Sequence, residues 1–364
     1  MRCVPAIASC SSPTSTPEAA GKSRRTPMTT PRYAYAVHVL REDDTPVRQL
    51  PVEVDWEPAR EALRLQALRD GRGVEAAFTL DCQIEPEWHP ERGSPYLAGF
   101  RVRAGSGSGS LQFGLAYFRE LSRSVTKRLV ADGALQQGDV VRCLPVAFPL
   151  AEPEQREAPK LGRQAPPRLA LGQAALADFF ADTGTITEPL PVLIPERVLD
   201  EAKALTLGVT GRETGGILIG RLHRDTASGG LFAEVTAQIP ARHTEADAVK
   251  LSFTPATWTE VQAALDLRTQ GESMLGWWHS HPVREWCKNC PEDQRRQCTL
   301  ARGFFSEDDR LLHRTVFPRA YSIALLVNDV EWDGPTFSLF GWDGGLVEAR
   351  GFHRLTEARD ALVR

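Results

Sequence analysis

The chain has 364 residues, 42% hydrophobic and 25% charged, an ordinary globular composition whose length suggests two folded units with connecting material. A formal net charge of −4 excludes a strongly basic nucleic-acid binder as the default reading. No run of about 18 apolar residues occurs, so neither a transmembrane helix nor a membrane partner is expected. Seven cysteines, an odd number in a chain this long, do not make a dense disulfide framework. Three of them, Cys287, Cys290 and Cys298, crowd together, a grouping that in an intracellular protein more often binds metal than pairs covalently. Arginine far outnumbers lysine, which hints at a bacterial genome, and a cytoplasmic location is expected.

Residues 1–31 are rich in Ser, Thr and Pro without periodicity and read as a disordered tail. The apolar stretch before Cys10 is too short for a lipoprotein signal, and Met28 is an alternative start. Residues 32–150 read as a separate accessory α+β domain of unknown role. Strands are expected over 33–40, 76–84, 96–104 and 139–148. A helix is expected over 113–133, where Phe113, Leu115, Phe118, Leu121, Val125 and Leu129 fall near helical spacing and Gly133 suits the end. Gly105–Gly109 (GSGSG) resembles a phosphate-cradling loop, but no P-loop lysine follows, so a turn between two strands is the better reading. Residues 151–188 read as a Pro-rich linker.

The second unit spans 189–364. A short strand leads into a helix with Val198, Leu199, Ala202 and Leu205 on one face, followed by strands over 213–222 and 231–239 and a helix from Thr254 to about Thr269. The strand 273–278 then runs straight into His279-Ser280-His281-Pro282. Side chains at i and i+2 of an extended chain share a face, so both imidazoles can converge on one ion. Three protein ligands with an open position suit a hydrolytic zinc. Downstream, Asp309 follows Ser306 by three residues and offers a third ligand; the same S-x-x-D is a helix capping box. Both roles can coexist, because a helix beginning there leaves donors facing an anion site. Glu213 alone would read as a solvated charge. Its position before a Gly-Gly strand able to pack beside the histidine strand makes it a candidate general base.

Together, Glu213, His279-Ser280-His281-Pro282, Ser306 and Asp309 resemble the JAMM signature of the JAB/MPN family of zinc isopeptidases. The resemblance covers roughly 189–345, including ETGGILIG and the Gly-Trp-Trp before His279. It implies an α/β fold, a mixed curved sheet flanked by helices similar to the cytidine-deaminase architecture. It further implies Zn2+ held by His279, His281 and Asp309 with water as fourth ligand, Glu213 as the base that deprotonates that water, and Ser306 as the oxyanion donor. The activity implied is that of a deubiquitinase-like metallopeptidase cutting an isopeptide or peptide bond after the tail of a ubiquitin or ubiquitin-like protein. Some relatives lack the ligands and are scaffolds; this chain has every one. The alternative is a non-catalytic, zinc-stabilised interaction module, in which a base such as Glu213 would have no use. A deaminase of related fold is disfavoured, since the histidine motif has no glutamate and Pro291 follows Cys290 instead of preceding a cysteine pair.

The chain departs from the family in an insertion, 283–305, between the second histidine and the serine. It contains the thiol cluster. Cys287-x-x-Cys290 has zinc-knuckle spacing, and with Cys298 these residues are candidates for a second, structural zinc; reduced surface thiols are the alternative. His313 is the candidate fourth ligand, or else packs near the catalytic site. Tethered between a ligand and the oxyanion serine, the insert must border the active-site groove, and with Arg295–Arg296 it is expected to help choose the substrate.

Overall fold

The computed structural model describes residues 32–356, apart from 106–108, 151–168, 180–187, 243, 247–250, 296 and 331–333. The expected tail and most of the expected linker therefore lie outside the described residues. β1 (Tyr33–Arg41) buries Val37 and Val39 on one face and Ala36 and Leu40 on the other, as a strand covered on both sides does. β2 (Pro46–Val52), α1 (Glu57–Arg69), α2 (Val74–Phe78), β3 (Cys82–His89), β4 (Gly93–Ala104), β5 (Ser110–Gly114), α3 (Arg119–Ala131) and β6 (Val141–Pro149) complete this part. Among the described residues its strands form one antiparallel sheet in the order β2-β1-β6-β4-β3, with β5 also on β4.

Two expectations are corrected here. The strand expected over 76–84 is broken: Val74–Phe78 is a helical turn that buries Ala77 and Phe78, and pairing starts only at Cys82. The expected helix 113–133 begins at Arg119, because Phe113 pairs across the β4–β5 hairpin and stacks on Phe100 at 4.9 Å; Leu115–Phe118 is a 3-10 turn. That hairpin is joined by 105–109, as the turn reading requires, although 106–108 lie outside the described residues.

In the second part, β7 (Leu171–Ala174) and α4 (Leu176–Phe179) fall inside the segment expected as a linker, and β7 is a sheet strand. There follow β8 (Val192–Pro195), α5 (Glu196–Leu207), β9 (Gly215–Asp225), β10 (Leu231–Pro240), β11 (Thr244–Ala246), β12 (Leu251–Phe253), α6 (Pro255–Asp266) and β13 (Ser273–His281). Among its described residues the insertion carries α7 (Val283–Trp286), α8 (Glu292–Arg295) and a 3-10 turn, Thr299–Ala301. Then come α9 (Glu307–Val316), β14 (Ile323–Asn328), β15 (Thr336–Asp343), β16 (Leu346–Arg350) and β17 (His353–Leu355). Among the described residues the larger sheet runs β16-β15-β14-β13-β9-β10-β8-β17, with β7 on β9, and it is mixed: β13–β14, β10–β8, β17–β8 and β7–β9 are parallel. Its central strands are buried on both faces, which explains the unbroken apolar runs in β9 and β14.

The two sheets share one hydrophobic cluster, which includes Leu63, Phe78 and Phe100 on one side and Leu218, Tyr321 and Leu325 on the other. Glu61, 1% exposed, accepts from Arg64 of its own helix at 2.8 Å and from Arg319 of the larger-sheet part at 2.9 Å. No described helix is long and apolar enough to cross a membrane.

Candidate metal centre

β13 is extended through both histidines, so Trp277, His279 and His281 project to one face while Trp278 and Ser280 project to the other. Across the sheet, Gly215 pairs with His279. Ser280 fastens this register, donating its N–H to the Thr214 carbonyl at 2.8 Å and accepting the Thr214 N–H on Oγ at 3.0 Å. Glu213, buried at 4% exposure, is the residue next to Thr214 and is thereby carried to the end of β9 that faces the histidines.

The third side chain comes from α9. Ser306 is its N-cap and the capping box is complete: Ser306 Oγ accepts the Asp309 N–H at 3.0 Å, and Asp309 Oδ2 accepts the Ser306 N–H at 2.8 Å. This fixes the carboxylate, leaving Oδ1 3.3 Å from His279 Nε2 and Oδ2 3.9 Å from His281 Nε2; the two Nε2 atoms are 3.2 Å apart. His279, His281 and Asp309 are the only group of three such donors gathered within 4.8 Å among the described residues.

Metal–donor bonds of about 2.0–2.1 Å in tetrahedral array put the donors roughly 3.3–3.4 Å apart; two of the spacings seen, 3.2 and 3.3 Å, match this, and the His281–Asp309 spacing of 3.9 Å is wider. The donor chemistry agrees. Burial, followed by the neighbouring His279, pushes His281 down to about 3, so its ring is neutral at physiological pH. Asp309 is held well below the usual carboxylate range: burial works against this, but His279 and the Ser306 hydrogen bonds outweigh it. Neutral imidazole and ionised carboxylate are the protonation states a metal needs. Lone pairs converging at such distances repel unless a proton or a metal cation is shared between them. The Nδ1 atoms of both histidines are buried without a protein partner.

Aromatic side chains support these donors through pairings that the sequence does not give. Trp277 stacks on His279 at 4.6 Å and 14°, and its indole N–H donates to His313 Nδ1 at 3.1 Å. His313, fully buried among Phe317, Trp342 and Phe305, thus packs beside the candidate metal centre, the second of its two expected roles, and no group of three gathered donors among the described residues joins it to the cysteines. Trp277 could have been suspected, being two residues before His279 on the same strand face. Nothing local marks its pairing with His313. Trp286 and Phe304 of the insertion lie against His281, at 4.9 and 4.8 Å between ring centroids, so the insert does border the site. Arg295 spends its guanidinium on the insert's own backbone, donating to the Cys290 carbonyl at 3.0 Å and the Lys288 carbonyl at 3.1 Å; Arg296 lies outside the described residues. Cys287 and Cys298 have their sulfurs 3.6 Å apart, and all three insert cysteines are free thiols.

The fold and site thus define a mixed α/β protein with a buried His-His-Asp centre at the end of its central strand. No family model matches the chain, and no curated protein matches it. Among solved structures it is similar to the solution structure of protein DSY2949 from Desulfitobacterium hafniense, at 20% identity over 46% of this chain and 92% of that one, with a TM-score of 0.30. The functional reading rests on the site itself and not on that likeness.

Proposed function

We propose that this chain is a JAMM-type zinc metallopeptidase that hydrolyses the isopeptide or peptide bond following the C-terminal tail of a ubiquitin-like protein. The observation that carries the reading is the convergence of His279, His281 and Asp309, whose donor atoms all lie within 4.8 Å of one another. A zinc ion held there would supply Lewis acidity, polarising the scissile carbonyl and bringing a water's pKa towards neutrality.

The chain's own residues do the rest. Glu213, delivered by the Thr214–Ser280 bonds, accepts the proton of the attacking water and returns it to the leaving amine. Ser306 uses an Oγ lone pair for the helix cap and keeps its O–H to donate to the oxyanion that forms on the scissile carbonyl. Trp286 and Phe304 shield one side of His281 from water.

The test is cleavage of fusions carrying a ubiquitin-like protein, comparing wild type with Glu213→Ala. Loss of the base is expected to slow cleavage by about 10²-fold or more with metal content unchanged. Equal cleavage by both proteins refutes the mechanism.

A further inference from the structure

The insertion poses a physical problem. Its elements have four, four and three residues, far below the length at which a helix holds itself together. Its apolar cluster is small: Val283, Cys287 and Val330 are buried, with Trp286, Cys290, Cys298 and Ala301 packed around them. Thiols occupy the place where a core would be. Units this poor in core are usually held by a covalent or metal staple.

The thiol geometry selects between these. Cys287 Sγ is 3.6 Å from Cys298 Sγ, well beyond a disulfide bond of about 2.05 Å. Two sulfurs on one tetrahedral zinc, each about 2.3 Å from it, would be roughly 3.8 Å apart. Cys290 flanks Cys287 on the next turn, its N–H donating to the Cys287 carbonyl at 2.9 Å. The three sulfurs do not all lie within 4.8 Å of one another, so closing the site requires the Cys290 side chain to turn towards Cys298, and water would complete the fourth position.

We propose that Cys287, Cys290 and Cys298 form a second metal site, a thiolate site of the zinc class, which staples the insertion and holds Trp286 and Phe304 against His281. On binding, each thiol gives its proton to solvent and its sulfur bonds the metal; no electron changes hands. Trp286 immediately precedes Cys287, so the staple governs the aromatic wall directly. Soft thiolates favour zinc over the hard divalent cations. This site stands whether or not the His–Asp centre is catalytic.

The test uses the full chain loaded with Co2+ as a spectroscopic probe, displaceable by Zn2+. Thiolate ligation gives an intense near-ultraviolet charge-transfer absorption that histidine and carboxylate ligands cannot give. Wild type is expected to show this band and to take up about two equivalents of metal. Asp309→Ala should keep the band and lose about one equivalent, while Cys298→Ser should lose the band and keep the other. A cobalt-loaded wild type without the band overturns the proposal without recourse to any variant. So does a band of equal strength in Cys298→Ser, which would place the thiolate ligands elsewhere. Failure of peptidase activity with both equivalents present would sink the functional reading and leave this site intact.

Discussion

Asp309 divides its two oxygens between structure and chemistry: one completes the helix cap with Ser306, the other faces His279. Ser306 is divided likewise, and its two roles can be separated. Ser306→Ala removes cap and hydroxyl together and is expected to lower unfolding free energy by about 1 kcal/mol, whereas Ser306→Gly, a tolerated N-cap, should cost only a few tenths. Both lose the proposed oxyanion donor and should, on that reading, lose turnover alike, by roughly 10²–10³-fold. Turnover that instead follows stability across the pair would remove the oxyanion role. His313 carries a pH prediction. Burial lowers its pKa from 6.5 to about 3, so below about pH 6.5 the unfolded chain takes up a proton that the folded chain refuses. Stability is therefore expected to fall as pH drops from about 6.5 towards 3, by up to about 1.4 kcal/mol per pH unit from this group. His313→Gln, which keeps an acceptor for Trp277, should flatten the acid limb measured by denaturant titration; an unchanged slope would show that His313 is not responsible.

At the scale of elements, β13 makes the site possible, and its shape depends on Gly276. The pairing of β13 with β9 shifts register between Met274 and Gly276, and a Cβ at Gly276 would run into the Ile323 carbonyl oxygen of β14. Gly276→Ala is expected to destabilise by on the order of 2 kcal/mol or more, seen as a lower denaturant midpoint; a change under about 0.5 would mean the strands can separate to admit the methyl. Much of this unit was legible in the sequence. The strands over 213–222, 231–239 and 273–278 and the helices after Pro195 and Thr254 have clear periodicity and stop signals, and all appear with modest boundary shifts. The donors were legible because i, i+2 on a strand and S-x-x-D at a helix start are local geometries. Tertiary pairings were not: nothing near Phe113 says that it stacks on Phe100, nor near His313 that it accepts from Trp277. Residues 171–174 read as linker because a four-residue parallel strand has no period to detect.

At the scale of the molecule, the smaller sheet is bonded to the larger through buried charge as well as shared core. Arg314 reaches Asp55 at 3.0 Å and Lys127 reaches Glu307 at 2.6 Å, but these pairs are exposed and contribute little. Glu61 differs, being buried and shared by two arginines whose side chains are 16% and 17% exposed. Glu61→Ala leaves the half-buried Arg319 without its carboxylate and Arg64 with Glu57 alone, and is expected to cost about 3 kcal/mol. With one hydrophobic cluster spanning both sheets, calorimetry on wild type should give a single unfolding transition. Two resolved transitions would show that the sheets melt independently.

The strand face that holds Trp277, His279 and His281 has a further consequence. A slip of β13 by one residue would turn Trp278 and Ser280 towards α9 and leave no metal donor on that side. Binding of the proposed ion at the His–Asp centre would therefore select for correct strand alignment. A misaligned chain can collapse and bury its tryptophans but would lack the three gathered donors, so tight metal binding, where it occurs, would count the fraction of chains that paired correctly.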